Sequence, residues 1–418
     1  MATDTEFRGL RSGRVVPLAR SPCDSGGEGG LYEVLGDASR LAKVYATPCR
    51  LDDVRGQRVV ALAERDDNPH LVRVEEVLVS VGDPGEVCGC LMKKEFGPTL
   101  FSVTDPVERR HLRIALAFPD RVRLALELAR AVEALHRSET VQADAHPRNV
   151  IVRFDRHGRV AGTVLIDAEA WLFELRDEVG RMLNLVTTTL LPEAMAPELH
   201  GVDLTQNRPD KRSDVFALAL MMSYALFDCP PQAFAGSKLT MVEQIVRGFD
   251  WITPNLPPGA TPPAGLPVDP ATVPGDVTAL LRRGLSSAPD DRPAAGEFVA
   301  ALDAWHRRVC LNTAAGRYMS ALAALWKARS VVAVFGRAAD AFFAALRHHA
   351  PETAAKPARW WVALAVKCLG PVVLVAVAAL WAAGSRSAKP PPVATPLEKK
   401  AAADAWRTPV GKNDPDPE

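Results

Sequence analysis

Three stretches of this sequence carry acids, amides and glycines at spacings that could do chemistry. In Val141-Gln142-Ala143-Asp144-Ala145-His146-Pro147-Arg148-Asn149-Val150-Ile151-Val152, Asp144 and Asn149 lie five residues apart around a proline turn and ahead of an apolar run. They can converge on one point, a carboxylate for the proton of a hydroxyl and an amide oxygen for Mg2+. Eighteen residues past Asn149, Val164-Leu165-Ile166 ends in Asp167, a second hard oxygen ligand. Taken singly, each of these residues is more often a turn cap. Near the N-terminus, Ser25-Gly26-Gly27-Glu28-Gly29-Gly30 runs into an alternating apolar strand, Leu31–Val34. Glycines in such a hairpin let backbone N–H groups approach a polyphosphate without interference from Cβ, although a tight hairpin with no ligand explains them equally well. Lys43, twelve residues after Leu31, interrupts the apolar strand Leu41-Ala42-Lys43-Val44-Tyr45. An unpaired charge on a buried side is costly, so Lys43 needs a partner, and a phosphate oxygen would serve.

The elements that must position these residues follow from hydrophobic periodicity. Residues 10–97 read as short alternating strands with one helix near 52–65, and residues 119–138, 211–228, 238–248, 275–285 and 294–308 read as helices. A small β-rich lobe followed by a larger helical lobe is the expected outline. Residues 254–274 hold eight prolines in twenty-one positions and read as an irregular surface connection, since proline fixes φ and removes a donor.

The order of the motifs gives the pattern its specificity. Glycine hairpin, strand lysine, Asp-x4-Asn loop, strand-terminal Asp, Met195-Ala196-Pro197-Glu198, Ser213-Asp214-Val215-Phe216-Ala217-Leu218 and Asp291-Arg292-Pro293 follow one another as in eukaryotic-type protein kinases. Over residues 10–308 the chain resembles a divergent bacterial Ser/Thr protein kinase domain. The resemblance implies an α+β, bilobal protein kinase-like fold, with an N-lobe over 1–97 and a C-lobe over 98–308. It implies that Gly26, Gly27 and Gly29 cover the phosphates of ATP and that Lys43 holds the α and β phosphates. It further implies that Asp144 orients the acceptor hydroxyl and that Asn149 and Asp167 bind Mg2+. Leu91-Met92-Lys93-Lys94-Glu95-Phe96 resembles the interlobe hinge, with Met92 at the gatekeeper position and Glu95 in the nucleotide-binding segment. Glu198 and Arg292 match the family's structural ion pair, and Asp214 matches its central-helix anchor.

The sequence departs from that pattern at several positions. Asp24 replaces the first loop glycine, Gln142-Ala143 replaces the His-Arg before the catalytic Asp, and Asp167-Ala168-Glu169 replaces Asp-Phe-Gly. His146 stands where a lysine reaches toward the transferred phosphate, so charge stabilisation there depends on its protonation. No helix glutamate is an assured partner for Lys43: Glu64 is the candidate, while strict spacing puts Val59 in the slot. Thr187-Thr188-Thr189 lie where autophosphorylation falls in the family. The expected activity is transfer of the ATP γ-phosphate to protein hydroxyls. The alternative is a pseudokinase scaffold. A small-molecule phosphotransferase of the aminoglycoside type is a third reading, which Met195–Glu198 and the Asp214 helix oppose.

Composition bounds the rest. In 418 residues, fifty Lys plus Arg balance fifty Asp plus Glu, which offers no global attraction to nucleic acid. Seven scattered cysteines read as reduced thiols, with Cys88 and Cys90 as small apolar residues on one strand face in preference to a metal pair. The start is polar, without the apolar core of a signal peptide. Residues 360–384 hold one charge, Lys367, and read as a transmembrane helix in a lipid bilayer. Residues 309–359 read as a juxtamembrane helical region, and the polar, proline-rich 385–418 as a disordered tail. Because ATP is cytosolic, the expected topology is single-pass in the inner membrane, with the kinase domain cytoplasmic, the tail outside, and a homodimer admitted.

Overall fold

The computed structural model describes residues 6–177, 179–185 and 190–311 of the chain. Seven strands form one antiparallel sheet: β1 (Glu6–Gly9), β2 (Val15–Pro17), β3 (Asp24–Gly26), β4 (Gly29–Val34), β5 (Asp37–Arg50), β6 (Val74–Ser80) and β7 (Glu86–Lys93). Their spatial order is β2-β1-β6-β7-β5-β4-β3. The sheet curls until its two sides meet, because Ala19 N–H donates to Glu33 O and Leu35 N–H to Pro17 O, each at 2.9 Å. Curling encloses a small core of Phe7, Val16, Leu18, Ala42, Leu78, Cys88 and Leu91. On the other face lies helix α1 (Val54–Ala63), which packs Val59, Leu62 and Ala63 into the main core.

The second half is helical. Short α2 (Leu100–Thr104) and α3 (Pro106–His111) lead into α4 (Phe118–Arg137), then the hairpin β8 (Val150–Phe154) and β9 (Val160–Leu165). Helix α5 (Lys211–Phe227) follows, then α6 (Met241–Val246), α7 (Gly275–Gly284) and a helix that begins at residue 295. Helix α5 is buried on nearly all sides, as a helix that is apolar all round must be. Its N-terminus is closed by a capping box between Asp210 and Ser213.

This mixed α+β architecture, with its curled antiparallel sheet, is compatible with a kinase-like N-lobe. The helices expected at 52–65, 119–138, 211–228, 238–248, 275–285 and 294–308 all appear. Residues 254–274 carry no helix or strand beyond a 3-10 turn at Pro270–Thr272 and isolated bridges at Asn255 and Thr261. The short α2 and α3 were not expected; they depend on side-chain caps from Thr99 and Asp105, and on the grip of Arg109 and Arg121 on Asp228. One strand reading is corrected. Cys88 packs inside the curl while Cys90 packs in the main core, because the pairing of β7 with its neighbours slips around Gly89. The two thiols are therefore on opposite faces. Burial pushes Cys88 up to about 11 and raises Cys90 further, keeping both protonated.

Among the described residues no helix is long and apolar enough to cross a membrane. The anticipated spanning segment 360–384, the tail 385–418, residues 312–359 and Thr187–Thr189 all lie outside the described residues.

Gly89 is the tightest point of the sheet: a Cβ there would sit 1.9 Å from the carbonyl oxygen of Lys43. A backbone atom in a central strand cannot step aside. Gly89→Ala is expected to destabilise the protein by about 2–4 kcal/mol, from overpacking together with an unfavourable φ. Urea unfolding monitored by Trp fluorescence measures this.

Candidate functional site

Lys43 lies mid-way along β5, paired in register with Leu31 of β4 and Cys90 of β7. Its side chain is only 15% exposed and its ammonium is ringed by carboxylates. Asp167 Oδ1 is 2.8 Å away, Glu28 Oε2 is 3.4 Å away, and Glu169 closes an ion pair through Oε2. Burial works against the charge, but the attraction of Glu169 and Asp167 outweighs it and raises the Lys43 pKa above its ordinary value. Lys43 is thus a fixed cation. Asp167 lies two residues past β9 and adopts a left-handed backbone, φ 61° and ψ 55°, a conformation a non-glycine residue holds only where its surroundings enforce it. Helix α1 supplies part of that enforcement, since Arg58 Nη1 donates to Glu169 O at 2.5 Å. Ala168 is buried beside Trp171, which fills core space next to it.

Asp144 sits on a loop that α5 holds from beneath. The buried carboxylate of Asp214 accepts the N–H of Gln142 at 2.8 Å and of Ala143 at 3.1 Å, and contacts His136 Nε2 at 3.0 Å. Ala143 is fixed in a left-handed conformation, φ 62°, between these bonds and Asp144. Asn149 Nδ2 donates to Asp144 O at 3.1 Å and lies 3.3 Å from its Oδ2, so the two residues converge. This leaves Asn149 Oδ1 as the atom for a cation. His146 Nδ1 accepts the Arg148 N–H at 3.2 Å, which puts the ring proton on Nε2, 3.3 Å from Asp144 Oδ2. His146 therefore caps the turn that follows it and faces Asp144. Leu191 N–H donates to Asp144 Oδ1 at 3.0 Å, tying the segment before Met195 to the same carboxylate.

The glycine turn closes over Lys43, because Glu28 at its tip reaches the ammonium. Gly29 is required by packing: a Cβ there would lie 2.0 Å from Val44 O. Gly26 and Gly27 face open space, and no neighbour demands glycine at either position. Met92 pairs with Leu41, two residues along from the Lys43–Cys90 pair, and packs on the main core. Glu95 is not brought to the cluster. Its carboxylate is bound by Arg153 and borders a cavity of about 170 Å³ lined also by Arg73 and Lys93, where neither Lys43, Asp144, Asn149 nor Asp167 is found.

Below the site, Glu198 and Arg292 form a two-point ion pair at 2.6 and 2.7 Å, with the arginine side chain fully buried. Glu64 is not the partner of Lys43: it is the exposed C-cap of α1 and makes no ion pair with the ammonium. Sequence reasoning missed Glu169, Glu28 and Arg58 as members of the cluster, and the Leu191 N–H on Asp144. The available signal was an acid in place of a flexible glycine, two residues after Asp167.

No protein-family model matches the chain. It is similar to the Serine/threonine-protein kinase PknH of Mycobacterium bovis, with 26% identity over 289 residues, covering 66% of this chain and 42% of that protein. The protein of the same name from Mycobacterium tuberculosis matches at 26% over 289 residues, covering 66% of this chain and 40% of its own length. The chain thus spans about two fifths of the length of these relatives. This distant similarity supports a divergent kinase and a protein kinase-like function at the family level.

Asp214 is the load point of the loop that carries Asp144. Asp214→Ala would strand two backbone donors and the His136 ring at a buried position. The expected loss is about 2–4 kcal/mol in urea unfolding, from unpaired buried groups.

Proposed function

We propose that the chain is a Ser/Thr protein kinase that transfers the γ-phosphate of Mg-ATP to protein hydroxyls. The observation that carries this reading is the convergence of Lys43 and Asp167, 124 positions apart, at 2.8 Å beneath the glycine turn. The residues present suit the groups the reaction needs. Asp167 Oδ2 and Asn149 Oδ1 are hard oxygen donors left over after the internal bonds are made, which is what Mg2+ takes when nucleotide phosphates and water complete its shell. Gly26 and Gly27, unexplained by packing, are the positions where phosphates could approach backbone N–H groups.

When bound, Mg2+ supplies charge neutralisation between the phosphates. Lys43, held protonated, offers a cation to the α and β phosphates, and the glycine turn covers them. Met92 borders the space for the base, and Glu95 contributes there through backbone only, its side chain being bound to Arg153. Asp144 orients the acceptor hydroxyl and receives its proton. His146 Nε2–H and Asn149 Nδ2 hold the Asp144 carboxylate in place. The Glu198–Arg292 pair secures the segment against which a protein substrate would lie. Residues 1–97 and 98–308 act as the two lobes, and 360–384 anchors the chain in the membrane with the lobes on the ATP side.

A competing reading, a scaffold without efficient transfer, has one observation behind it: the Asp144 and Lys43 charges are already occupied by Leu191 N–H and by three carboxylates. Transfer of label from γ-labelled Mg-ATP to a generic protein acceptor separates the two. Asp144→Ala and Asp167→Asn should each lower transfer by at least about 10²–10³-fold in protein whose far-UV circular dichroism at the assay temperature matches that of the parent. Retained activity in either would remove its assigned role. Absence of transfer by the parent protein, with nucleotide binding intact, would favour the scaffold.

A further inference from the structure

Helix α1 of this chain, Val-Arg-Gly-Gln-Arg-Val-Val-Ala-Leu-Ala, contains no acidic residue. In protein kinases the strand lysine is placed by a glutamate on the corresponding helix. Here that glutamate is missing, and the residue two positions after Asp167 is a buried acid paired with Lys43. We propose that Glu169 is the positioning residue for Lys43, so that the lysine is set by the segment following β9 and not by helix α1.

The surroundings of the ammonium support this assignment element by element. The β3–β4 turn contributes Glu28, whose side chain is 58% exposed and whose carboxylate is 3.4 Å away. The segment after β9 contributes Asp167 and Glu169. Strand β7 contributes the Cys90 thiol, kept neutral by burial, and β5 the buried Tyr45 phenol. Helix α1 contributes only cations on this side, Arg55 over the Tyr45 ring and Arg58 on Glu169 O. Of the three carboxylates, Asp167 is the one a divalent cation would draw on, and Glu28 is open to water. Glu169 is 9% exposed and remains. Its placement is itself secured, through Arg58 on its carbonyl and the buried Ala168 before it.

The exchange has a regulatory consequence. With the carboxylate on the helix, swinging the helix outward breaks the pair. With the carboxylate on Glu169, α1 holds that residue's backbone by one hydrogen bond but does not carry the charge. Lys43 then stays paired as long as Asp167-Ala168-Glu169 keeps its backbone conformation. This inference rests on the kinase reading for its purpose, but the pair itself can be tested without nucleotide.

Urea unfolding of the full chain in a double-variant cycle tests the pair without nucleotide. Glu169→Gln should lower the unfolding midpoint, Glu169→Asp, which retracts the carboxylate by one methylene, should lower it less, and Glu64→Gln should match the parent. Lys43→Met/Glu169→Gln should lower the midpoint by less than the sum of the two single variants. In calorimetry with Mg-ADP, Glu169→Gln should weaken binding about tenfold, and Lys43→Met/Glu169→Gln should bind no more weakly than Lys43→Met alone. Additive midpoint shifts for Lys43→Met and Glu169→Gln would overturn the proposal, as would additive losses of binding in the double variant. If the parent protein binds no nucleotide, the kinase reading fails, while the unfolding cycle still decides the pair.

Discussion

A lysine ammonium placed in the interior of a β-sheet must be neutralised, and that requirement organises the upper half of this molecule. Lys43 cannot reach water freely from the middle of β5, flanked by β4 and β7. Its neutralisation therefore draws in Glu28 at the tip of the glycine turn and Asp167 and Glu169 from the segment after β9. Each of these contacts fixes a piece of backbone as well as a charge. Glu28 brings the turn down, Asp167 accepts a left-handed conformation, and Glu169 turns its carbonyl to Arg58. The sheet and the segment after β9 are thereby joined through a buried charge cluster, in which removing one member would leave another uncompensated.

The lower half answers to a buried carboxylate. Asp214 projects from the fully packed α5, accepts the backbone N–H groups of residues 142 and 143, and contacts His136 Nε2. The carboxylate converts the rigidity of α5 into a fixed position for the loop bearing Asp144. Arg292, buried against Phe216 of the same helix and paired with Glu198, fixes the following segment in the same manner. Two anchor points on one helix thus place the acid, its amide neighbour and the platform beside them.

Much of this was legible in the sequence, for identifiable reasons. Asp144, Asn149, Asp167 and Lys43 stand out because an acid or a lysine at the boundary of an apolar run violates the local pattern, and their order along the chain is distinctive. The long helices were legible from period, and α5 from its continuous apolarity. The remainder depended on contacts remote in sequence. Glu95 is turned away by Arg153, 58 residues on, and no local feature announces this. Cys88 and Cys90 share a face by simple alternation, but the slip around Gly89 separates them, because register is set by neighbouring strands. The helices α2 and α3 are too short for periodicity and exist by virtue of caps and the arginine pair on Asp228. Glu169 was visible as a departure. Its meaning required knowing that α1 has no acid to offer at the same point in space.

The departures at 142, 143 and 168 alter less of the geometry than their identities suggest. Asp214 holds the loop through the N–H groups of Gln142 and Ala143, which nearly any residue would supply, so loss of the usual His-Arg pair leaves Asp144 anchored. Ala143 adopts positive φ at a cost of about 1–2 kcal/mol, offset by the hydrogen bonds it gains there. Ala168 withdraws an aromatic ring from the core, and Trp171 places one nearby. Against the kinase pattern that the sequence resembles, the substitutions remove an arginine side chain at 143 and an aromatic ring at 168, neither of which the bonds that hold Asp144 require. Together with a lysine whose counter-charge does not sit on α1, these losses describe a site whose parts are held by backbone and by buried charge, with few of the movable contacts through which such sites are ordinarily switched.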